Sequence, residues 1–353
     1  MSLMSSSMRS STMPPFRSSR WLSGGHVQTL YSPLWRASPQ LQRRRERMTL
    51  QNGDFIDLDW YGPEGEATNC VLLLHGLTGS SASLYILGQQ QALAARGWQS
   101  AAVNWRGCSG EPNHRARGYH SGVSEDLADV VKQLTLRYPH KLFAAIGYSL
   151  GGNVLLKYLG EKGSNTPLKA AVAVSVPFRL DHCAERINKG FSRVYQARFL
   201  RGLRRYVEHK RQAFLRQGRR GELARLAALE TLKGMKTFWD FDGRVTAPLH
   251  GFESADDYYR RCSSAFFVEQ IRIPTLIVHS LDDPFIYPQS VPKAEVLPSC
   301  VTLELHASGG HVGFIEGPPW RPRYYLEHRL PNWLQSQLCS QGKTHNTSAL
   351  LSN

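Results

Sequence analysis

The apolar positions of this chain fall into two patterns that take turns along it. Short unbroken apolar runs, "CVLLLHG" (70–76), "WQSAAVNWRG" (98–107), "LFAAIG" (142–147) and the segment 169–176, read as strands covered on both faces. Between them, 84–96, 122–137 and 151–160 carry the longer period of helices. Strand and helix alternating at this spacing predict crossover connections and a mostly parallel central sheet with helices on both faces. Ahead of the first run, "MTLQNGDFIDLDWYG" (48–62) alternates in steps of two around Phe55, Ile56, Leu58 and Trp60, with Asn52-Gly53 as a turn between two strands.

From about 177 to 270 the alternation stops. The stretch is Arg-rich and helical in pattern, and Phe191, Val194, Tyr195, Phe199, Leu203, Tyr206 and Val207 recur at helical spacing, leaving arginines on the other face. Strand signals return at "IRIPTLIVHS" (271–280) and "VTLELHA" (301–307), and a last helix is expected over roughly 322–339. The expectation is one α/β domain over 21–353, interrupted by a helical cap or lid at about 177–270 that is too long for an ordinary crossover. Residues 1–20, rich in Ser and Arg, read as a disordered tail, with Met13 as an alternative start. The tail resembles an organellar transit peptide in lacking acids before Glu46, but it has no apolar core of a secretory signal.

Composition narrows the class. With 353 residues, 41% of them hydrophobic, the chain can bury a large core, and no apolar run reaches the 18 or so residues of a membrane span. Six scattered cysteines without a CxxC pair fit free thiols in a reducing compartment, so a cytoplasmic protein is expected. The net charge of +15 sits in two places: residues 1–48 hold eight Arg against one Glu, and residues 191–226 hold eleven Lys/Arg against two Glu. The rest is close to neutral, so the charge speaks of surfaces and partners.

The candidate chemistry lies at "GYSLGG" (147–152), where a strand runs directly into a helix. A serine on such a bend is held in a strained conformation with its hydroxyl clear of the sheet edge, and its flanking positions must be small, as Gly147 and Gly151 are. Alone, Gly-x-Ser-x-Gly is a weak signal, and a glycine-rich turn after a strand is the plain alternative. A serine hydroxyl needs a base, and the base needs a carboxylate to fix its tautomer. After strand 275–280 comes "LDDPFIYP", with Asp282 and Asp283. After strand 301–307 comes "SGGHVGF", with His311 in a loop freed by Gly309 and Gly310. Both follow strands, which puts them at the same carboxyl edge as Ser149. Acyl transfer also needs donors for an oxyanion. The expected pair is the N–H of Leu150, next after the serine, and that of Leu77 in "HGLTGSS" (75–81), where His75 and Gly76 shape the turn.

Taken together, "HGLTGSS", "NWRGCSGEPN", "GYHSG", "GYSLGGNVLLKYLGE", "FDGRVTAPLHGF", "DDPF" and "GGHVGF" resemble the YheT-like branch of the α/β-hydrolases, with its ABHD1/ABHD3-type and EMB8-type relatives. The likeness runs from about residue 21 to 338. It implies the α/β-hydrolase fold and a serine carboxylesterase or acylglycerol or phospholipid acyl hydrolase using Ser149, Asp283 and His311. Asp283 is preferred over Asp282 because the related enzymes carry the acid directly before the proline. It further implies no metal and no organic cofactor. The arginine-rich segment 193–225 departs from the expected pattern.

The expected partner is a small-molecule or lipid ester. Phe238, Trp239 and Phe241 are candidates for an apolar wall of the acyl pocket. The basic segment 193–225 offers peripheral contact with an anionic membrane, or simply a solvated helix face. Nucleic acid is not expected, because no recognisable RNA- or DNA-binding module is present. An acyltransferase would use the same residues, and a non-catalytic lipid- or protein-binding module on the same scaffold is the reading from outside enzymology.

Overall fold

The computed structural model describes residues 15–65, 69–229 and 232–349, with the side chains of the closing helix as far as Cys339. Its main sheet comprises β1 (Arg44–Thr49), β2 (Phe55–Tyr61), β3 (Cys70–Leu74), β4 (Gln99–Asn104), β5 (Phe143–Tyr148), β6 (Ala170–Val174), β7 (Thr275–Ser280) and β8 (Val301–His306). They lie in the order β1-β2-β4-β3-β5-β6-β7-β8. β2 runs antiparallel to both neighbours, and every other pairing in this sheet is parallel. The helices are α1 (Gly25–Trp35), α2 (Leu84–Ala94), α3 (Ser124–Arg137), α4 (Leu150–Lys162), α5 (Leu180–Ile187), α6 (Ser192–Arg216), α7 (Arg220–Ala227), α8 (Phe238–Phe241), α9 (Ala247–His250), α10 (Ala255–Cys262) and α11 (Tyr325–Ala349).

The apolar runs become the buried strands. All residues of β3, β5, β6 and β7 are buried, as parallel strands covered on both faces must be. Alternate side chains along them feed two cores. Leu72, Leu74 and Ala145 pack with Leu127 and Val131 of α3 and Val154 and Leu155 of α4. Val71, Leu73 and Ile146 pack with Ile86 of α2 and Leu330 and Leu334 of α11. The sheet is therefore the middle of three layers.

β2 departs from the half-exposed strand that its alternation suggests. Its polar positions Asp57 and Asp59 are buried as well. Each is gripped bidentately by the residue directly opposite on β1, Asp57 by Arg47 at 2.8 and 3.0 Å and Asp59 by Arg45 at 2.8 and 2.9 Å. Paired charge makes that burial tolerable. The turn between them falls at Gly53, whose φ of 75° suits glycine.

Between β6 and β7 every regular element among the described residues is helical, with a π turn (Asp242–Thr246) joining α8 to α9. These helices share a core of their own, including Leu200, Val207, Phe214, Leu226, Phe241 and Tyr258. That core also takes in Phe285 and Ile286 from the loop after β7. On α6 the buried stripe is Tyr195, Leu200, Leu203, Val207 and Phe214, whereas Phe191 precedes the helix and Val194 lies off that stripe, on the face of exposed Arg201 and Arg205, so both face solvent.

Residues 1–14, most of the segment read as a tail, lie outside the described residues. Residues 15–20 pack on the domain. The Phe16 ring meets Phe314 at 5.5 Å, and the Ser19 N–H donates to the Ile315 carbonyl at 3.1 Å. Among the described residues, no helix is long and apolar enough to cross a membrane.

Candidate active site

Ser149 stands between the last residue of β5 and the first of α4, with φ 52° and ψ −119°. That conformation is strained for any residue with a Cβ, and close packing enforces it. A Cβ on Gly147 would lie 2.5 Å from the Gly151 carbonyl oxygen and 2.8 Å from Gly152 Cα. One on Gly151 would collide with the Leu74 carbonyl, and one on Gly152 would lie 2.8 Å from Val176 Cγ2. The three glycines let strand, helix and neighbouring strand close around the bend.

The serine hydroxyl is 2.9 Å from Nε2 of His311, and Nδ1 of the same ring is 2.8 Å from Oδ2 of Asp283. An ionised carboxylate only accepts, so Nδ1 carries the hydrogen and Nε2 is left to accept from Ser149. The other oxygen of Asp283 accepts from the Phe285 N–H at 2.8 Å, and its side chain is fully buried. Asp282 has a different task. Its Oδ1 accepts from the Gly310 N–H at 2.8 Å and from the Ser280 hydroxyl, bracing the loop that carries His311.

That loop is held from several sides. The His311 N–H donates to Thr29 Oγ1 of α1 at 2.8 Å, and the Val312 N–H to Ser175 Oγ at 3.2 Å. Val312 and Phe314 both have positive φ, 64° and 46°. The ring of Phe285 lies against His311 with centroids 4.3 Å apart. No sequence pattern marks Thr29 or Ser175, and none predicts α1, a short helix with Pro33 inside it.

The turn 75–79 is braced against Ser149, since a Cβ on Gly76 would lie 3.1 Å from Ser149 Cβ. The Gly76 N–H donates to the Tyr85 hydroxyl and the Thr78 N–H to the Tyr119 hydroxyl, both at 2.9 Å. The amide of Leu77 lies between these two engaged amides, and Leu77 and Leu150 line the same cavity as Ser149 and His311. An amide in the first turn of a helix, as at Leu150, has no acceptor within its own helix. His75 is fully buried, and its Nε2 accepts from the Trp105 N–H at 3.3 Å. Nδ1–H then donates to the Gly76 carbonyl at 2.8 Å, and burial pushes this imidazole down to about 4. It is a neutral brace for the turn.

The cavity has a volume of about 530 Å³. Toward the helices between β6 and β7 its wall is apolar, formed by Leu180, Ile187, Leu203, Phe238, Phe241 and Val245 among others. Trp239, proposed with Phe238 and Phe241 as a wall, packs instead within the helical segment, edge-on to Tyr259 at 4.7 Å. Titratable side chains sit in this wall too, Asp242 and Lys210 among them. Burial raises the Asp242 carboxyl to about 6, against hydrogen bonds from Thr246 and Tyr259, and lowers the Lys210 ammonium to about 7. Among the described residues, no three His, Cys, Asp or Glu side chains gather as a metal site would require.

Comparison with known proteins adds an independent line. Residues 69–318 match the family described as alpha/beta hydrolase fold. YheT of Escherichia coli (strain K12) is 41% identical over 321 residues, which span 90% of this chain and 92% of that protein. Phospholipase ABHD3 of Homo sapiens is 32% identical over 330 residues, spanning 90% of this chain and 78% of that one. Monoacylglycerol lipase of Saccharomyces cerevisiae is 29% identical over 278 residues, spanning 76% and 61%. Among solved structures, the Pyrococcus furiosus esterase Pf2001 shares the fold with a TM-score of 0.52 at 17% identity, covering 84% of this chain and 91% of its own.

Proposed function

The chain belongs to the α/β-hydrolase fold family, and we propose that it is a serine hydrolase that cleaves carboxylic esters with an apolar acyl group, of carboxylesterase or acylglycerol lipase type. The observation that carries the proposal is the unbroken hydrogen-bond chain from Ser149 through His311 to Asp283, opening on a mainly apolar cavity. In this reading His311 takes the Ser149 proton as Oγ bonds to the ester carbonyl carbon. The tetrahedral oxyanion lies between the N–H groups of Leu77 and Leu150. His311 then gives that proton to the leaving alcohol, and an acyl-enzyme remains on Ser149. A water deprotonated by His311 attacks the acyl carbon, the acid departs and the serine is restored. Asp283 stays ionised throughout and stabilises the imidazolium.

The helical segment at about 177–270 acts in this proposal as a cap. α6 lies over the turn that carries Leu77: a Cβ on Gly202 would lie 3.0 Å from Thr78 Cγ2, and the Tyr206 hydroxyl donates to the Arg106 carbonyl at 2.8 Å. Its inner face supplies the apolar wall for the acyl chain. Its outer face carries Arg193, Arg201, Arg205 and Arg216 beside exposed Phe191 and Val194, a mixture suited to an anionic lipid surface. The test is a series of p-nitrophenyl esters from acetate to palmitate. Turnover that rises with chain length and vanishes in Ser149→Ala supports the reading. No turnover of any ester or acylglycerol by the wild type would end it.

A further inference from the structure

The cavity does not end at Ser149. It continues away from the proposed cap toward α1, α2 and the start of α11, and there the chemistry of its wall changes. The path can be followed contact by contact. The Tyr85 hydroxyl that holds the Gly76 amide belongs to a ring 4.8 Å from that of Tyr148, and the Tyr148 hydroxyl donates to Oε1 of Gln89 at 3.0 Å. Against Gly88, the residue before Gln89, lie Arg36 and Glu327, hydrogen-bonded to each other, with the guanidinium 3.8 Å from the centre of the Tyr324 ring. Arg36, Gln89 and Glu327 all line the cavity. Gly88 is what lets the pair lie against α2, because a Cβ there would run into both Glu327 Oε1 and Arg36 Nη2.

One feature of this end asks for a ligand and another limits its charge. Gln89 is fully buried, yet its amide Nε2 has no hydrogen-bond partner. A buried donor without an acceptor carries a standing penalty, which an acceptor brought in by a ligand removes. The charged groups here, Arg36 and Glu327, neutralise each other, so this end has hydrogen-bonding capacity without net charge.

We propose that this end of the cavity is the subsite for the alcohol half of the ester, and that it takes a neutral alcohol bearing free hydroxyls, held by Gln89 and the Arg36–Glu327 pair. The proposal rests on the serine-hydrolase reading above. Nε2 of Gln89 donates to a hydroxyl oxygen of the alcohol, and Glu327 accepts from a hydroxyl hydrogen. A plain alkyl alcohol leaves the Gln89 donor unmet, and a site built for a hydroxyl discriminates against a partner that lacks one. A phosphorylated alcohol fares worse, because Arg36 is already neutralised and Glu327, whose carboxyl burial pushes up, would face a second anion.

The experiment compares three esters of one fatty acid, methyl, glycerol and glycerophosphate, in the wild type, Gln89→Leu and Glu327→Gln. Fluorophosphonate labelling of wild-type Ser149 is run in parallel. The expected result is that the wild type favours the glycerol ester in kcat/KM by about tenfold or more over either alternative, and that this preference over the methyl ester falls about tenfold in Gln89→Leu. A wild type that favours the methyl or glycerophosphate ester overturns the proposal without any variant. So does a preference that neither substitution moves. If Ser149 still labels in those cases, the subsite is wrong and the hydrolase stands. If the wild type does not label, both fall.

Discussion

Ser149 occupies a conformation that costs about 1–3 kcal/mol for a residue with a side chain, and the packing around Gly147, Gly151 and Gly152 holds it there. Around it the division of labour between two adjacent carboxylates is sharp. Asp283 meets the imidazole, and Asp282 meets the backbone of the loop that carries it. Asp283→Asn is therefore expected to lower kcat by about 10³–10⁴-fold with little change in KM, because the amide can present its N–H to Nδ1 and favour the wrong tautomer. Asp282→Asn should cost less than about tenfold. A larger loss from Asp282→Asn than from Asp283→Asn would reverse the assignment. The Tyr119 hydroxyl accepts from the Thr78 amide, next to the proposed oxyanion donor, and its ring packs against Tyr206 at 5.7 Å. Tyr119→Phe should lower kcat several-fold, by about 5–20-fold, and leave KM nearly unchanged, as loss of alignment of a donor that acts in the transition state would. Spacing alone left the two aspartates level, since both follow β7, and only the family likeness separated them. Thr29 was out of reach of any local pattern, lying 282 residues from the loop it holds.

At the scale of elements, what could be read from the sequence was what local chemistry decides. Unbroken Val/Leu/Ala/Ile runs gave the parallel strands, and the glycine spacing gave the bend. What could not be read depended on neighbours. β2 hides polar residues because β1 happens to place arginines opposite, and α1 is short, proline-bearing and stabilised by what it packs on. Gly151→Ala tests the bend: its Cβ would meet the backbone carbonyls of Leu74 and His75, which cannot turn aside as a side chain can, so the fold should lose about 1–3 kcal/mol or more, seen in urea melts, and wild-type stability would refute the steric account. Lys210 tests how α6 is attached. Its ammonium donates to the Ala116 and Arg117 carbonyls at 2.8 and 2.9 Å, tying α6 to the loop after β4. Burial lowers it from 10.5 to about 7, so between those pH values the unfolded chain binds a proton that the folded protein lacks. Its contribution to stability therefore grows as pH rises through that window and is lost as pH falls toward 7. The stability gap between wild type and Lys210→Met should widen from pH 7 to pH 9 in favour of wild type; a constant gap would show that Lys210 keeps its ordinary titration.

Over the whole molecule, a near-neutral body carries its excess charge at the N-terminal region and on the proposed cap, as the sequence already indicated. Segregation of this kind bears on surfaces and association and not on the fold. If the arginine face of α6 rests on anionic lipid, vesicles containing phosphatidylserine should pull the protein down at low salt and release it at about 0.5 M salt. Reversing Arg201 and Arg205 to glutamate should abolish co-sedimentation while soluble nitrophenyl esters are still turned over. Equal binding to neutral vesicles, or none at low salt, would remove the membrane from the account.

The central claim is that one serine in the chain is activated, and that His311 activates it. Wild type, Ser149→Ala and His311→Ala should each be treated with a fluorophosphonate, with intact mass giving stoichiometry and peptide mass giving the site. The expected result is a single adduct on Ser149 in the wild type, none in Ser149→Ala, and labelling slowed by about 10³-fold or more in His311→Ala. An unmodified wild type, or a Ser149→Ala protein that labels as fast as the wild type, would contradict the account.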